Sequence, residues 1–276
     1  MWFIKQSLWL DYALLLISPW PFYKKIVFII KKYYLLIFHI FKKFEIGEDC
    51  IELFGDTIYY DSPYGIAGYQ SMLTRQQKLI QLLNITNPDV VIDIGANVGF
   101  FSKCMRNLFP YAKIYSIEPI PLIYKCLELN FKGDKKTYLF NIGIYNKSGH
   151  AKMQFDKNLS SISHLSNHGQ IRVSLETLDN FVEKNEIKAI DILKIDVESF
   201  ENFVLQGGSK ALAITKFLLM EITMENNTNY TISSLFRQLC SKNYNFQLVG
   251  FRNYADVSLG KIPVMDSLMK NILYKP

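Results

Sequence analysis

A chain of 276 residues with 49% apolar and 14% aromatic side chains can bury a large core, which excludes intrinsic disorder. The net charge of +6 is unevenly placed: residues 1–45 hold seven lysines against Asp11 and Glu45, while the other 231 residues carry 24 basic and 23 acidic side chains. That near-neutral body lacks the basic cluster a nucleic-acid backbone requires, so RNA or DNA is not expected as a partner. Cys50, Cys104, Cys126 and Cys240 form neither a close pair nor a Cys-x-x-Cys, which implies free thiols in a reducing, cytoplasmic setting and no zinc site.

Residues 1–45 differ in kind from residues 46–276. From Gln6 to Tyr23 only Asp11 is charged, and Pro19 and Pro21 then punctuate the chain. Residues 22–44 are aromatic and aliphatic except for His39 and the pairs Lys24-Lys25, Lys31-Lys32 and Lys42-Lys43. At ~100° per residue, pair spacings of seven and eleven return to one azimuth, so the lysines form a stripe on a single helix. Three placements fit this pattern. An in-plane helix would set its broad apolar face and basic stripe at anionic lipid, at ~1 kcal/mol per lysine near the surface, a peripheral contact with the inner membrane face through residues 22–44. A packed helix would set its broad apolar face on the domain or on another subunit, with the lysines in water. A membrane span would have to run through Gln6–Tyr23, because one through 22–44 would bury Lys31 and Lys32 at ~2.5–3.5 kcal/mol each. No small-x-small site follows the apolar run, so no cleaved signal peptide is expected.

Cys50–Phe54 and Thr57–Tyr60 alternate around Gly55-Asp56, a hairpin signal. Gln70–Leu83 is periodic as a helix. Strands and helices then take turns: Val90–Ile94 strand, Gly99–Leu108 helix, Ile114–Glu118 strand, Leu122–Asn130 helix, Thr137–Ile142 strand. A polar stretch, Asn146–Gln170, holds His150, His164 and His168 and gives no periodic signal. After it come strand Ile190–Ile195, helix Phe200–Leu212, strand Phe217–Ile222, helix Ile232–Lys242, and closing strands at Phe246–Phe251 and Asn271–Tyr274. Such alternation specifies an α/β fold whose mostly parallel sheet is covered on both faces.

The segment Asp89–Phe101 organises this sheet. An apolar β-branched run ends at Asp93 and turns through Gly95 and Gly99 into a helix, aiming bare backbone at a ligand beyond the strand. Glu118 ends the next strand, where a carboxylate can accept both hydroxyls of a ribose. Asn97 stands where a dinucleotide turn needs glycine, and Asp93 would repel a diphosphate but attract a cationic tail. S-adenosylmethionine, a nucleoside with an ammonium and a sulfonium and no phosphate, fits better than NAD.

The run Leu193-Lys194-Ile195-Asp196-Val197-Glu198-Ser199-Phe200-Glu201, followed by Val204-Leu205-Gln206-Gly207-Gly208, resembles the FkbM family of methyltransferases, and so do the Asp93–Gly99 turn, Glu118-Pro119 and Met220-Glu221-Ile222 in order and spacing. The resemblance spans roughly residues 50–276. Ser199 departs from the family's usual glycine, which weakens the case for a special backbone angle there. The resemblance implies a Rossmann-like class I fold with the last strand antiparallel, and methyl transfer from S-adenosylmethionine to a hydroxyl, often of a sugar in a surface or lipid-linked glycan. It also implies that Asp93, Gly95, Ala96, Asn97 and Gly99 form the cofactor turn, that Glu118 grips the ribose, and that Asn141 lies beside the adenine.

For such a transfer, Asp196 at the end of its strand and Glu198 two residues on are the candidate base or acceptor ligands. Glu201 suits a helix N-terminus, where an acid meets the helix dipole. His164 and His168 are alternative bases, and no His/Asp spacing marks a metal site. A nicotinamide-dependent sugar oxidoreductase and a non-catalytic membrane-associated scaffold are the competing functions.

Overall fold

The computed structural model describes residues 8, 11–12, 14–16, 20–41, 44–53, 56–62, 65–70, 72–73, 85–154, 164–165, 169–223, 231–241, 244–253 and 264–274. Apolar runs too short for helices become strands buried on both faces: β3 (Val90–Ile94), β4 (Lys113–Ile117), β5 (Thr137–Phe140), β10 (Ile190–Ile195) and β11 (Thr215–Thr223). They pair in parallel in the order β11-β10-β3-β4-β5, with β13 (Val264–Asn271) antiparallel on β11 and β12 (Phe246–Asn253) beyond it. Thus seven strands form the sheet, and the last in sequence is the one running against the rest. The α/β class and the antiparallel last strand stand as expected.

One sheet face packs Ile92, Ile94, Leu193, Ile195 and Met220 against α4 (Leu178–Lys184), α5 (Glu201–Gln206), α6 (Ser209–Ala213) and α7 (Ile232–Leu239). The opposite face packs Val91, Ile192 and Leu219 with α2 (Phe100–Leu108), and α3 (Pro121–Asn130) lies against β5 and the N-terminal hairpin. Both clusters are fully withdrawn from water, at ~1.5–3 kcal/mol per large apolar side chain.

Four expectations are corrected. The polar stretch is not only loop: β7 (Gly149–Gln154) and β8 (His164–Leu165) form within it and join the flanking β6 (Gly143–Tyr145) and β9 (Ile171–Thr177) in a second sheet of order β6-β9-β7-β8. Strand β7 buries Met153 alone, so it has no alternation to read. The helix expected over Phe200–Leu212 is broken at Gly207-Gly208 into α5 and α6. The final strand is β13, ending at Asn271, where Asn271–Tyr274 was expected. The hairpin of β1 (Cys50–Leu53) and β2 (Asp56–Tyr59) forms as read, whereas of Gln70–Leu83 only 70 and 72–73 lie among the described residues, in helical conformation.

The fourth correction concerns the N-terminus. Helix α1 (Phe22–Phe41) forms, but it turns lysines inward. Lys32 is fully buried, ion-paired with Asp11 and 3.1 Å from Gln70 Oε1, and Lys25 donates to the Leu15 carbonyl at 2.8 Å. Gln70 Nε2 and Tyr33 Oη also donate to Asp11, at 2.8 and 2.7 Å. Burial lowers the Lys32 pKa, and Asp11 opposes the shift. Leu14, Phe28 and Leu35 join the core beneath the sheet. No helix among the described residues is long and apolar enough to cross a membrane.

Candidate active site

A cleft of about 410 Å³ opens at the carboxyl edge of the seven-stranded sheet, between Ile94 and Gly95 after β3, Ile117 and Pro119 around β4, Val197 after β10, and Met153 of the second sheet. The crossover connections of the parallel strands set this position, and part of the space is open to solvent. The second sheet therefore acts as a wall of the site.

Gly95 fixes the floor. Its φ is +75°, and a Cβ there would stand 1.7 Å from the Asp196 carbonyl oxygen. The β3 turn and the end of β10 thus touch backbone to backbone, which only glycine allows. Asn97 takes φ +51°, a left-handed angle asparagine tolerates, and its side chain accepts from the Val98 N–H at 2.6 Å. Ala96 is buried, and Gly99, at φ +89°, leads into α2 against Leu127 and Phe131.

Glu118 accepts the N–H groups of Asn97 at 3.0 Å and Ile120 at 2.9 Å, one on each oxygen. Burial pushes its pKa up to about 7, with those two N–H groups pulling the other way, Asp93 adding to the rise and Lys194 reducing it. The Asn97 amide is therefore committed to a carboxylate. Asn141 Nδ2 donates to the Glu118 and Pro119 carbonyls at 2.9 and 3.1 Å, which sets the exposed Asn141 side chain beside Glu118.

Asp93, Ser116 and Lys194 lie side by side in register across β3, β4 and β10. Asp93 is fully buried; its Oδ2 accepts from Ser102 of α2 at 2.6 Å, and its Oδ1 lies 3.2 Å from Lys194 Nζ. Lys194 Nζ is also 3.0 Å from Asp196 Oδ2. Burial works to lower the Lys194 pKa, but Asp196 and Asp93 outweigh it and hold the ammonium above its ordinary range. Asp93 is thus engaged by this lysine and by Ser102 in the interior, and a cationic ligand in the cleft does not meet it directly as the sequence suggested. Lys194 is the residue missed from the sequence; the available signal was a lysine between Leu193 and Ile195 in a strand buried on both faces, where an unpaired charge would be prohibitive.

Beyond Lys194, Asp196, Glu198 and Glu221 bring carboxylate oxygens within 4.8 Å of one another, all three half-buried. Glu221 was matched only as part of a pattern, yet it completes this group. Three such oxygens can accept hydroxyl protons or suit a hard divalent cation, a metal use the sequence did not suggest. Glu201 is buried and accepts the N–H groups of Val197 and Ser199, both at 3.2 Å, so it braces the turn. His164 lies on β8, His150 is exposed on β7, and His168 lies outside the described residues.

Glu198 and Ser199 have φ +50° and +75°, so the special angle is present despite the serine. Ser199→Gly is expected to raise stability by up to about 1 kcal/mol by removing left-handed strain, read as a higher urea midpoint at unchanged slope. A lower midpoint would count against that strain.

A family model described as the methyltransferase FkbM domain matches residues 93–248. The methyltransferase sdnD of Sordaria araneosa is 39% identical over 49 residues, a match covering 18% of this chain and about a fifth (19%) of that protein. Among solved structures, M. jannaschii TYW2 in complex with AdoMet is 15% identical, with TM-score 0.43 and 84% of this chain and 90% of that one covered. An rRNA methylase from Streptococcus thermophilus is 11% identical, with TM-score 0.45 and coverage of 71% and 95%.

Proposed function

The chain belongs to the FkbM methyltransferase family, and from that premise we propose that it methylates a hydroxyl group of a sugar, in a surface glycan or a lipid-linked glycan. The supporting observation is the group of acids Asp196, Glu198 and Glu221 beside an apolar cleft, with Glu118 buried at the end of β4. The cofactor is S-adenosylmethionine, whose sulfonium, when bound, supplies an electrophilic methyl group. The donor set suits it: Glu118 offers a carboxylate to a ribose, and the cleft lining is largely aliphatic. A dinucleotide is less well served, because the Asn97 N–H is engaged by Glu118 and cannot also cradle a pyrophosphate.

The protein's own part is to hold the acceptor hydroxyl in line and receive its proton. Orientation alone contributes ~7–11 kcal/mol in well-aligned systems. Asp196 is the better proton acceptor, since its side chain is 30% exposed and Lys194 already orients one oxygen. Glu198 and Glu221 then accept neighbouring hydroxyls, as a polyol acceptor would offer.

Calorimetry with S-adenosylmethionine, followed by mass spectrometry of surface glycans with and without the protein, tests this directly. One methyl lost from one sugar when the protein is removed is the expected result. Absence of any cofactor binding by the intact protein overturns it.

The raised Glu118 pKa adds a pH signature. Hydroxyl donors favour the ionised form, so cofactor affinity is expected to rise about tenfold from one unit below to one unit above a pKa of about 7. The apo protein moves oppositely: stability from the neutral acid is present below the ordinary value near 4.5 and is lost as pH climbs to about 7. Glu118→Gln should flatten both profiles; an unchanged affinity profile would remove Glu118 from the cofactor.

A further inference from the structure

Helix α1 is amphipathic the wrong way round for a protein in water. Phe22, Tyr23, Ile30, Tyr34 and Ile37 are between 57% and 70% exposed. Every exposed residue of α1 whose side chain is described is apolar or aromatic. Leu8, Tyr12 and Leu16, spaced by four, are exposed as well. The charges are on the other side, where Lys32 meets Asp11 and Gln70, and Lys25 meets the Leu15 carbonyl. Burying an ion pair carries a desolvation cost that rolling the helix over would avoid. The chain instead turns Lys25 and Lys32 inward and presents a ridge, a row of apolar and aromatic side chains along the outer face of the helix.

We propose that this ridge seats the protein on an anionic bilayer, with the exposed face of α1 immersed in the interface and the Lys32 side holding the domain. Three features single out lipid. The ridge is the convex flank of one helix, the form of an in-plane interfacial helix. It is rich in tyrosine (12, 23, 34), the side chain enriched where hydrocarbon meets headgroups. Its charge is complementary: residues 1–45 sum to +5, with Lys24 half-exposed at one edge of the ridge, Lys31 on the same edge donating to the Glu52 carbonyl, and Lys42-Lys43 next in sequence after the helix. A second copy docked by two-fold symmetry would face one +5 segment with another. Lys25 and Lys32 of the stripe turn into the protein, so the apolar face enters the interface and Lys24, at its edge, meets the headgroups.

The test uses the full chain and sedimentation with vesicles of phosphatidylcholine alone or mixed with phosphatidylglycerol. Wild type is expected to sediment with the mixed vesicles, less so as salt is raised. The double variant Ile30→Asp with Ile37→Asp should lose at least about tenfold of that binding at an unchanged melting temperature. Wild type remaining in the supernatant with both vesicle types overturns the proposal, as does equal binding by the variant. So does a wild-type dimer in light scattering that the double variant splits, which would give the ridge to a second copy. Vesicle binding does not depend on methyl transfer, so either idea can fail alone.

Discussion

Gly95→Ala is expected to lower stability by about 3–5 kcal/mol and to abolish cofactor binding, while Gly133→Ala costs only about 1 kcal/mol. Both glycines have left-handed angles, φ +75° and +87°, so both substitutions carry the same backbone penalty. They differ in their surroundings. A Cβ at Gly133 meets nothing within 4 Å, whereas at Gly95 it would stand 1.7 Å from the Asp196 carbonyl oxygen, and that backbone cannot swing away as a side chain could. Either β3 and β10 part, breaking the register of Ile94 with Ile195, or the turn deforms and drags Asn97 off Glu118. Urea denaturation of the two variants isolates the contact: equal midpoints would mean that the close approach carries no energy, and wild-type affinity in Gly95→Ala would detach the turn from the cofactor.

That contact explains why the two motifs work as one site. Asp93 and Asp196 lie on neighbouring strands with the buried Lys194 between them, 3.2 and 3.0 Å away. One buried ammonium thus meets two carboxylates, the buried Asp93 and the half-buried Asp196, each within ion-pair distance. The lysine thereby links the cofactor turn to the candidate base.

The parallel sheet was legible because both-face burial writes itself as apolar runs, and the Asp93–Gly99 turn because its glycines obey backbone geometry. What escaped had no periodic trace. Strand β7 is held by its ladder with β9 and one inward Met153, so hydropathy is silent. In β13 the buried Ser267 reads as polar although its hydroxyl donates to the Met220 carbonyl at 3.1 Å. The spacing of the α1 lysines was read correctly but their direction was not, because direction depends on Asp11 and on Gln70, 38 residues from Lys32. Helical periodicity gives a face; only the tertiary partner says which way it points.

Asp196→Asn is expected to slow methyl transfer about 10²–10⁴-fold while cofactor affinity stays within a few-fold. The amide keeps the shape and one acceptor oxygen for Lys194 Nζ, now 3.0 Å from the carboxylate, but cannot receive a proton. A purely structural Asp196 would behave differently: its loss would reduce melting temperature and cofactor affinity together, because Lys194 also holds Asp93. Glu198→Gln provides the comparison. Its carboxylate belongs to the same group, but it sits on a turn at φ +50° two residues beyond Asp196. If Glu198 only binds acceptor hydroxyls, the substitution raises KM and leaves the rate at saturating acceptor nearly unchanged. A rate loss in Glu198→Gln as large as that in Asp196→Asn would move the proton to Glu198 and leave Asp196 as the partner that fixes Lys194.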